Sequence, residues 1–183
     1  MTIGNAEQSH PDPRVPPNLH VPRPDESAPV DELTMLRGWL AHLRGGAIYK
    51  VEGLSPTQLR WRPAPTANSL GGIVMHLASA ERLWIRVVFA GEEMDMEWTR
   101  DRYAPTFIVP DGWTSHEVVA FYRAETARAD EILDACDSAD LPSRGEIRPT
   151  TLRWVLTHLV EELARHLGHM DITRELIDGK IGR

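Results

Sequence analysis

One stretch near the end of the chain concentrates side chains able to bind metals or move protons: His158, Glu161, Glu162, His166, His169 and Asp171. Glu162 and His166 stand four residues apart, as do His158 and Glu162. On a helix that spacing projects both members of a pair from adjacent turns of one face, where they can close on one ion. His158 and His166 are separated by a rise of about 12 Å, too far for both to reach an ion through bonds of about 2.1 Å. Either pair can serve, and a third ligand has to come from another helix. His76 meets that need. It lies between Met75 and Leu77 in an apolar stretch, where an imidazole must find a partner or carry a desolvation cost of about 1–3 kcal/mol. Alone, it reads as a core histidine bonded to a carbonyl or carboxylate. A ligand pair on another helix makes a divalent metal the sharper expectation.

The remaining candidates have plainer readings. His42 and His116 read as helix-surface residues, and His10 and His20 as solvated side chains of a Pro-rich segment. His158 and His169 flank the ligand pair; they either donate hydrogen bonds to Glu162 or to a bound ligand, or simply pack on the helix surface. Glu161 and Arg165 read as a surface ion pair of about 0.2–0.5 kcal/mol. Cys136 is the single cysteine, which excludes an internal disulfide and a Cys-rich zinc site. Near a helix end, away from a positive N-terminus, it is not expected to be a nucleophile.

The elements that must position these residues are helices. Residues 1–29 hold Pro11, Pro13, Pro16, Pro17, Pro22, Pro24 and Pro29 and read as an irregular arm, with the bundle domain spanning 30–183. Val15, Leu19 and Val21 in that arm would cover a groove or reach a second subunit, so a homodimer is admitted. Leu33, Leu36, Leu40, Leu43 and Ala47 mark one face of a first helix over 31–51. Ser55 and Pro56 start a short helical turn. Asn68 or Ser69 caps a second long helix over 69–90, ending at Gly91. Residues 92–113 form a connection longer than bundle loops usually are, and such crossovers often border a pocket; Trp84, Trp98, Tyr103 and Trp113 are its candidate walls. Thr114 and Glu117 have capping-box spacing and open a third helix over 115–136. Thr150 or Thr151 caps a fourth over 151–178, which Gly179 ends. Four long helices without a period-two strand predict an all-α four-helix bundle.

Composition excludes several classes of function. The 183 residues suffice for one domain with a sizeable core. A hydrophobic share of 42% and a charged share of 26% are ordinary for a globular protein in water. A formal net charge of −7, with 20 basic residues spread along the chain, disfavours nucleic acid. No apolar run reaches the length of a membrane span, and no basic segment followed by an apolar one opens the chain, so the expected location is the cytoplasm.

Three segments carry a resemblance: Leu54-Ser55-Pro56-Thr57-Gln58-Leu59-Arg60-Trp61-Arg62-Pro63, Ser69-Leu70-Gly71-Gly72-Ile73-Val74-Met75-His76-Leu77, and Glu161-Glu162-Leu163-Ala164-Arg165-His166-Leu167-Gly168-His169-Met170-Asp171-Ile172. They resemble the DinB superfamily, and within it the mycothiol transferase-like branch, over about residues 30–180. The resemblance implies a DinB-like four-helix bundle with a divalent metal on His76, Glu162 and His166. Zinc is the expected ion and nickel the alternative. Many relatives carry a third histidine where this chain has Glu162; the Glu form is similar to that of mycothiol-dependent isomerases. A His₂Glu set with an open position matches a catalytic rather than a closed structural site. The implied activity is transfer of a low-molecular-weight thiol, mycothiol favoured, to a small electrophile, as in detoxification. The attacking sulfur would then belong to the cosubstrate, activated as a metal-bound thiolate. A non-catalytic DinB-like metal-binding or stress-response protein is the alternative.

Overall fold

A computed structural model describes residues 23–25, 27, 29–93 and 103–181. Trp98 lies outside them, as does the arm up to residue 22. Local signals set where each helix begins. α1 (Glu32–Tyr49) starts where the Asp31 carboxylate accepts the Thr34 amide at 3.0 Å. α2 (Pro56–Arg60) has a full capping box between Ser55 and Gln58, with proline in its first turn, where a missing N–H costs nothing. α3 (Leu70–Glu81) is capped by Ser69, whose hydroxyl accepts the Gly72 amide at 3.1 Å. Thr114 and Glu117 cap α4 (Ser115–Asp134) reciprocally. Thr151 caps α5 (Leu152–Asp178), which stops at Gly179 with φ +75°.

α1 packs along α5 and α3 along α4, while α3 also meets α5. Leu40 and Ala47, Val74 and Leu77, Tyr122 and Leu133, and Leu156, Leu159 and Leu163 are among the buried side chains of the shared core. The architecture is the expected all-α bundle. Among the described residues there is no strand, only one isolated bridge between Pro142 and Thr151. No helix among them is long and apolar enough to cross a membrane.

One element departs from expectation. The second long helix is not uniform: after Glu81 it widens into a π-helical segment, Arg82–Phe89. At its end the Ala90 amide donates to Ile85 at 2.9 Å, five residues back, and the Glu92 amide to Arg86 at 2.8 Å. The connection before α5 closes the ladder, with the Arg144 amide donating to Phe89 at 2.7 Å and the Gly145 amide to Val88 at 3.2 Å. Position 145 must be glycine for this approach, because a Cβ there would meet the Val87 carbonyl oxygen at 2.4 Å. Carbonyls of the wide turn thus find donors that are remote in sequence, which satisfies the backbone where a regular helix would use its own.

Candidate metal centre

α3 and α5 bring three ligand-type groups together. His76 points from α3 into the interface and is 3% exposed, His166 on α5 is 8% exposed, and Glu162 one turn before it is partly buried. One ligand atom from each of these residues comes within 4.8 Å of the others. Glu162 Oε1 lies 3.1 Å from His76 Nε2 and 3.2 Å from His166 Nε2.

Thr106 decides what His76 can do. Its hydroxyl donates to the Tyr103 carbonyl at 2.7 Å, so toward His76 Nδ1, 2.8 Å away, its oxygen can only accept. Nδ1 therefore carries the proton, and Nε2 turns a lone pair toward the carboxylate of Glu162. Two electron-pair donors facing each other at 3.1 Å need a cation between them, either a second proton on the imidazole or a metal. Burial opposes the proton: it pushes the His76 pKa below its ordinary value, against the opposing pull of Glu162. The hydrogen bonds that the His166 and His76 rings give Glu162 when an Nε2 is protonated hold its carboxyl far below the ordinary carboxylate range despite partial burial, so a proton in this cluster sits on an imidazole and not on Glu162. A carboxylate facing the lone pair of a neutral His76 is thus the resting arrangement at neutral pH, and that donor set fits a divalent ion such as zinc. His166 lacks an anchor like Thr106, its Nδ1 being buried with no hydrogen-bond partner among the described residues.

The short helical turn Ala104–Phe107 forms the lid of this cluster. Phe107 stacks on His76 with ring centroids 4.1 Å apart and planes 11° apart, and Tyr103 meets its edge at 5.0 Å. A cavity of about 540 Å³ lies against Tyr103 and Phe107, lined also by Arg62, Asn68 and Pro105. The turn can approach so closely because Gly72 has no side chain: a Cβ there would lie 2.4 Å from the Phe107 carbonyl oxygen.

The other sequence candidates fall elsewhere. His158, one turn before Glu162, makes no hydrogen bond to it; its ring sits 4.6 Å from Trp84 and stacks on Trp154 at 5.1 Å. His169 is exposed, its ring 6.1 Å from His166. Arg165 pairs with Glu161 and reaches within 3.9 Å of Glu162 Oε2. Tyr103 is beside the cluster, whereas Trp113 packs on Phe121 at 5.7 Å and Trp84 on Trp154 at 5.0 Å. Burial raises the Cys136 pKa, and its thiol donates to the Ile132 carbonyl at 3.4 Å, which suits an inert side chain. Thr106 carries no motif in the sequence. Its only signal is its place in the long connection expected to border the site.

A family model described as mycothiol-S-transferase matches residues 35–179. The crystal structure of a conserved protein from Enterococcus faecalis is similar in fold, with a TM-score of 0.62 at 16% identity over 83% of this chain and 100% of that one. No curated protein matches the chain significantly. The matched span takes in both helices that bear the His76, Glu162 and His166 cluster, and the chain belongs to the mycothiol-S-transferase family of DinB-like helical bundles.

Proposed function

We propose that this protein is a metal-dependent thiol S-transferase, in which His76, Glu162 and His166 hold one zinc ion and a low-molecular-weight thiol, mycothiol foremost, is transferred to a small electrophile. The observation that carries the reading is the pair of lone pairs turned on one point, Nε2 of His76 and Oε1 of Glu162 at 3.1 Å, with the His76 tautomer set from behind by Thr106. When bound, zinc supplies Lewis acidity that lowers the proton affinity of a coordinated thiol, so that thiolate is available near neutral pH.

The chain's own residues supply the rest. His76, Glu162 and His166 would supply three protein ligands, one fewer than a closed structural zinc site uses, so a thiol could also reach a bound ion. Glu162 lowers the net charge of the site, and its low proton affinity keeps it a carboxylate throughout the neutral range. Thr106 prevents the His76 ring from turning its protonated nitrogen inward. Phe107 and Tyr103 cover the imidazole and exclude water from one side, which strengthens every charge interaction inside.

Replacing His76, Glu162 or His166 by alanine should lower zinc content, measured on the purified protein, and abolish thiol-dependent consumption of monochlorobimane together. His158→Ala should leave zinc content unchanged, because the ring faces the two tryptophans. Loss of zinc in His158→Ala with retention in His166→Ala would assign the other pair on α5. Full zinc binding without transfer from mycothiol to any of a panel of electrophiles would favour the non-catalytic reading.

A further inference from the structure

Around the start of α5, four side chains form a cluster that the metal chemistry does not use. Trp84 from the π-helical segment and Trp154 from α5 have ring centroids 5.0 Å apart, tilted by 50°. His158 stacks on Trp154 with planes 19° apart and meets the edge of Trp84. The guanidinium of Arg148 lies 4.9 Å from the Trp154 centroid and 5.4 Å from that of Trp84. Tryptophans gathered only for packing are generally buried, with each indole N–H given an acceptor. Here Trp154 is 40% exposed and Arg148 is exposed. Among the described residues, the side chains of Trp84, Trp154, His158 and Arg148 make no hydrogen bond or ion pair. Stacking on the rings orients the guanidinium and leaves its N–H donors free.

We propose that this cluster is a binding subsite for a polyhydroxylated ring, a sugar or cyclitol, carried by the thiol cosubstrate. The chemistry discriminates between occupants. A small anion would use Arg148 and neglect the indole faces. An apolar group would use the faces and strand the donors without partners. A sugar ring has both an apolar C–H face to lie on indole and a rim of hydroxyls to accept from Arg148, His158 and the indole N–H groups. The position agrees. His158 and Trp154 precede Glu162 by one and two turns of α5, about 6 and 12 Å along its axis, and Trp84 follows His76 by a similar step. A cysteinyl sulfur at the metal, joined through an amide to a sugar, spans that interval. The assignment to the cosubstrate rests on the transferase reading; the subsite itself does not.

The test uses the full-length zinc protein and two kinds of probe. The glucosamine–inositol pseudodisaccharide, which carries no sulfur, should quench tryptophan fluorescence and bind roughly tenfold more weakly to Trp154→Ala and to Arg148→Met. Trp154→Phe, which keeps an aromatic face, should recover most of the binding. In steady state, the ratio of kcat/KM for mycothiol to that for N-acetylcysteine should fall about tenfold in Trp154→Ala, through KM rather than kcat. A pseudodisaccharide that does not bind the native protein, or a selectivity ratio unmoved by both substitutions, overturns the proposal. Pseudodisaccharide binding that is lost in Trp154→Ala, in a protein that transfers neither thiol, would keep the subsite and sink the transferase reading.

Discussion

A hydroxyl that has already donated its hydrogen can only accept, and at Thr106 this elementary constraint orients an imidazole in the site. The chain from the Tyr103 carbonyl through Thr106 to His76 Nδ1 leaves Nε2 as the free lone pair. Removing such an orienting partner from a metal-binding histidine typically costs about 10- to 100-fold in affinity. Thr106→Val should therefore weaken zinc binding by that factor in competition with a chromogenic chelator, while Thr106→Ser should not. Equal affinity in all three proteins would show that His76 is oriented by something else. Acidity acts on the same residues. Above about pH 6.5, the ordinary His76 value, neither folded nor unfolded chain protonates this ring. Below it the unfolded chain takes up a proton that the buried ring resists, so stability falls. Glu162 adds to the loss at lower pH: its folded pKa is depressed, so its contribution is complete above the ordinary 4.5 and disappears as pH drops from there toward the folded value. The melting temperature of the metal-free protein should fall on acidification through this window, and less steeply in His76→Gln. Identical slopes in the two proteins would refute the assignment to His76.

At the scale of elements, the site depends on how closely one short turn can approach one helix. α3 carries His76, and the Ala104–Phe107 turn carries the group that orients it. Contact between them passes over the bare backbone of Gly72, where an added Cβ would overlap the Phe107 carbonyl oxygen. Gly72→Ala should push the turn outward, break the bond between Thr106 and His76, and lower zinc affinity about as much as Thr106→Val does. Helical content by circular dichroism should be retained. Unaltered zinc affinity in this variant would mean that the turn does not need its close seat. The π-helical segment is a second such dependence: it delivers Trp84 to Trp154 and His158, and its free carbonyls rely on the Arg144 and Gly145 amides.

Across the whole molecule, charge is buried where three helices meet. Glu81 at the end of α3 is fully buried; its carboxylate takes a two-pronged contact from Arg44 of α1, and the Tyr122 hydroxyl of α4 donates to it at 3.2 Å. Arg44 also reaches Asp130 at 2.7 Å. Removing one member of a buried pair leaves the other charge without compensation, at a cost of about 3–5 kcal/mol. Glu81→Ala should lower unfolding free energy by that amount in urea titration. Replacing Arg44 and Glu81 together by apolar residues should recover much of it. A single-variant loss below about 1 kcal/mol would show that water reaches the pair.

The helices are legible in the sequence because their signals are local. Leu33, Leu36, Leu40 and Leu43 repeat at the helical period, and Ser55, Thr114 and Glu117 are hydrogen-bonded within three residues of themselves. Two residues four apart on one helix are neighbours in any fold that keeps the helix, so the candidate pairs on α5 could be listed from spacing alone. Choosing between them could not be done that way, because His158 and His166 satisfy the same rule. Packing separates them: Trp84 and Trp154 enclose the ring of His158, while His166 meets His76 across the interface. Thr106 lies 30 residues from the histidine it orients, and the donors that sustain the π-helical segment come from beyond α4. Trp113, an equally good wall by position in the long connection, turns instead to Phe121. Periodicity and capping report a helix and the face it buries. Which neighbour that face meets depends on contacts remote in sequence, and these form only when the bundle closes.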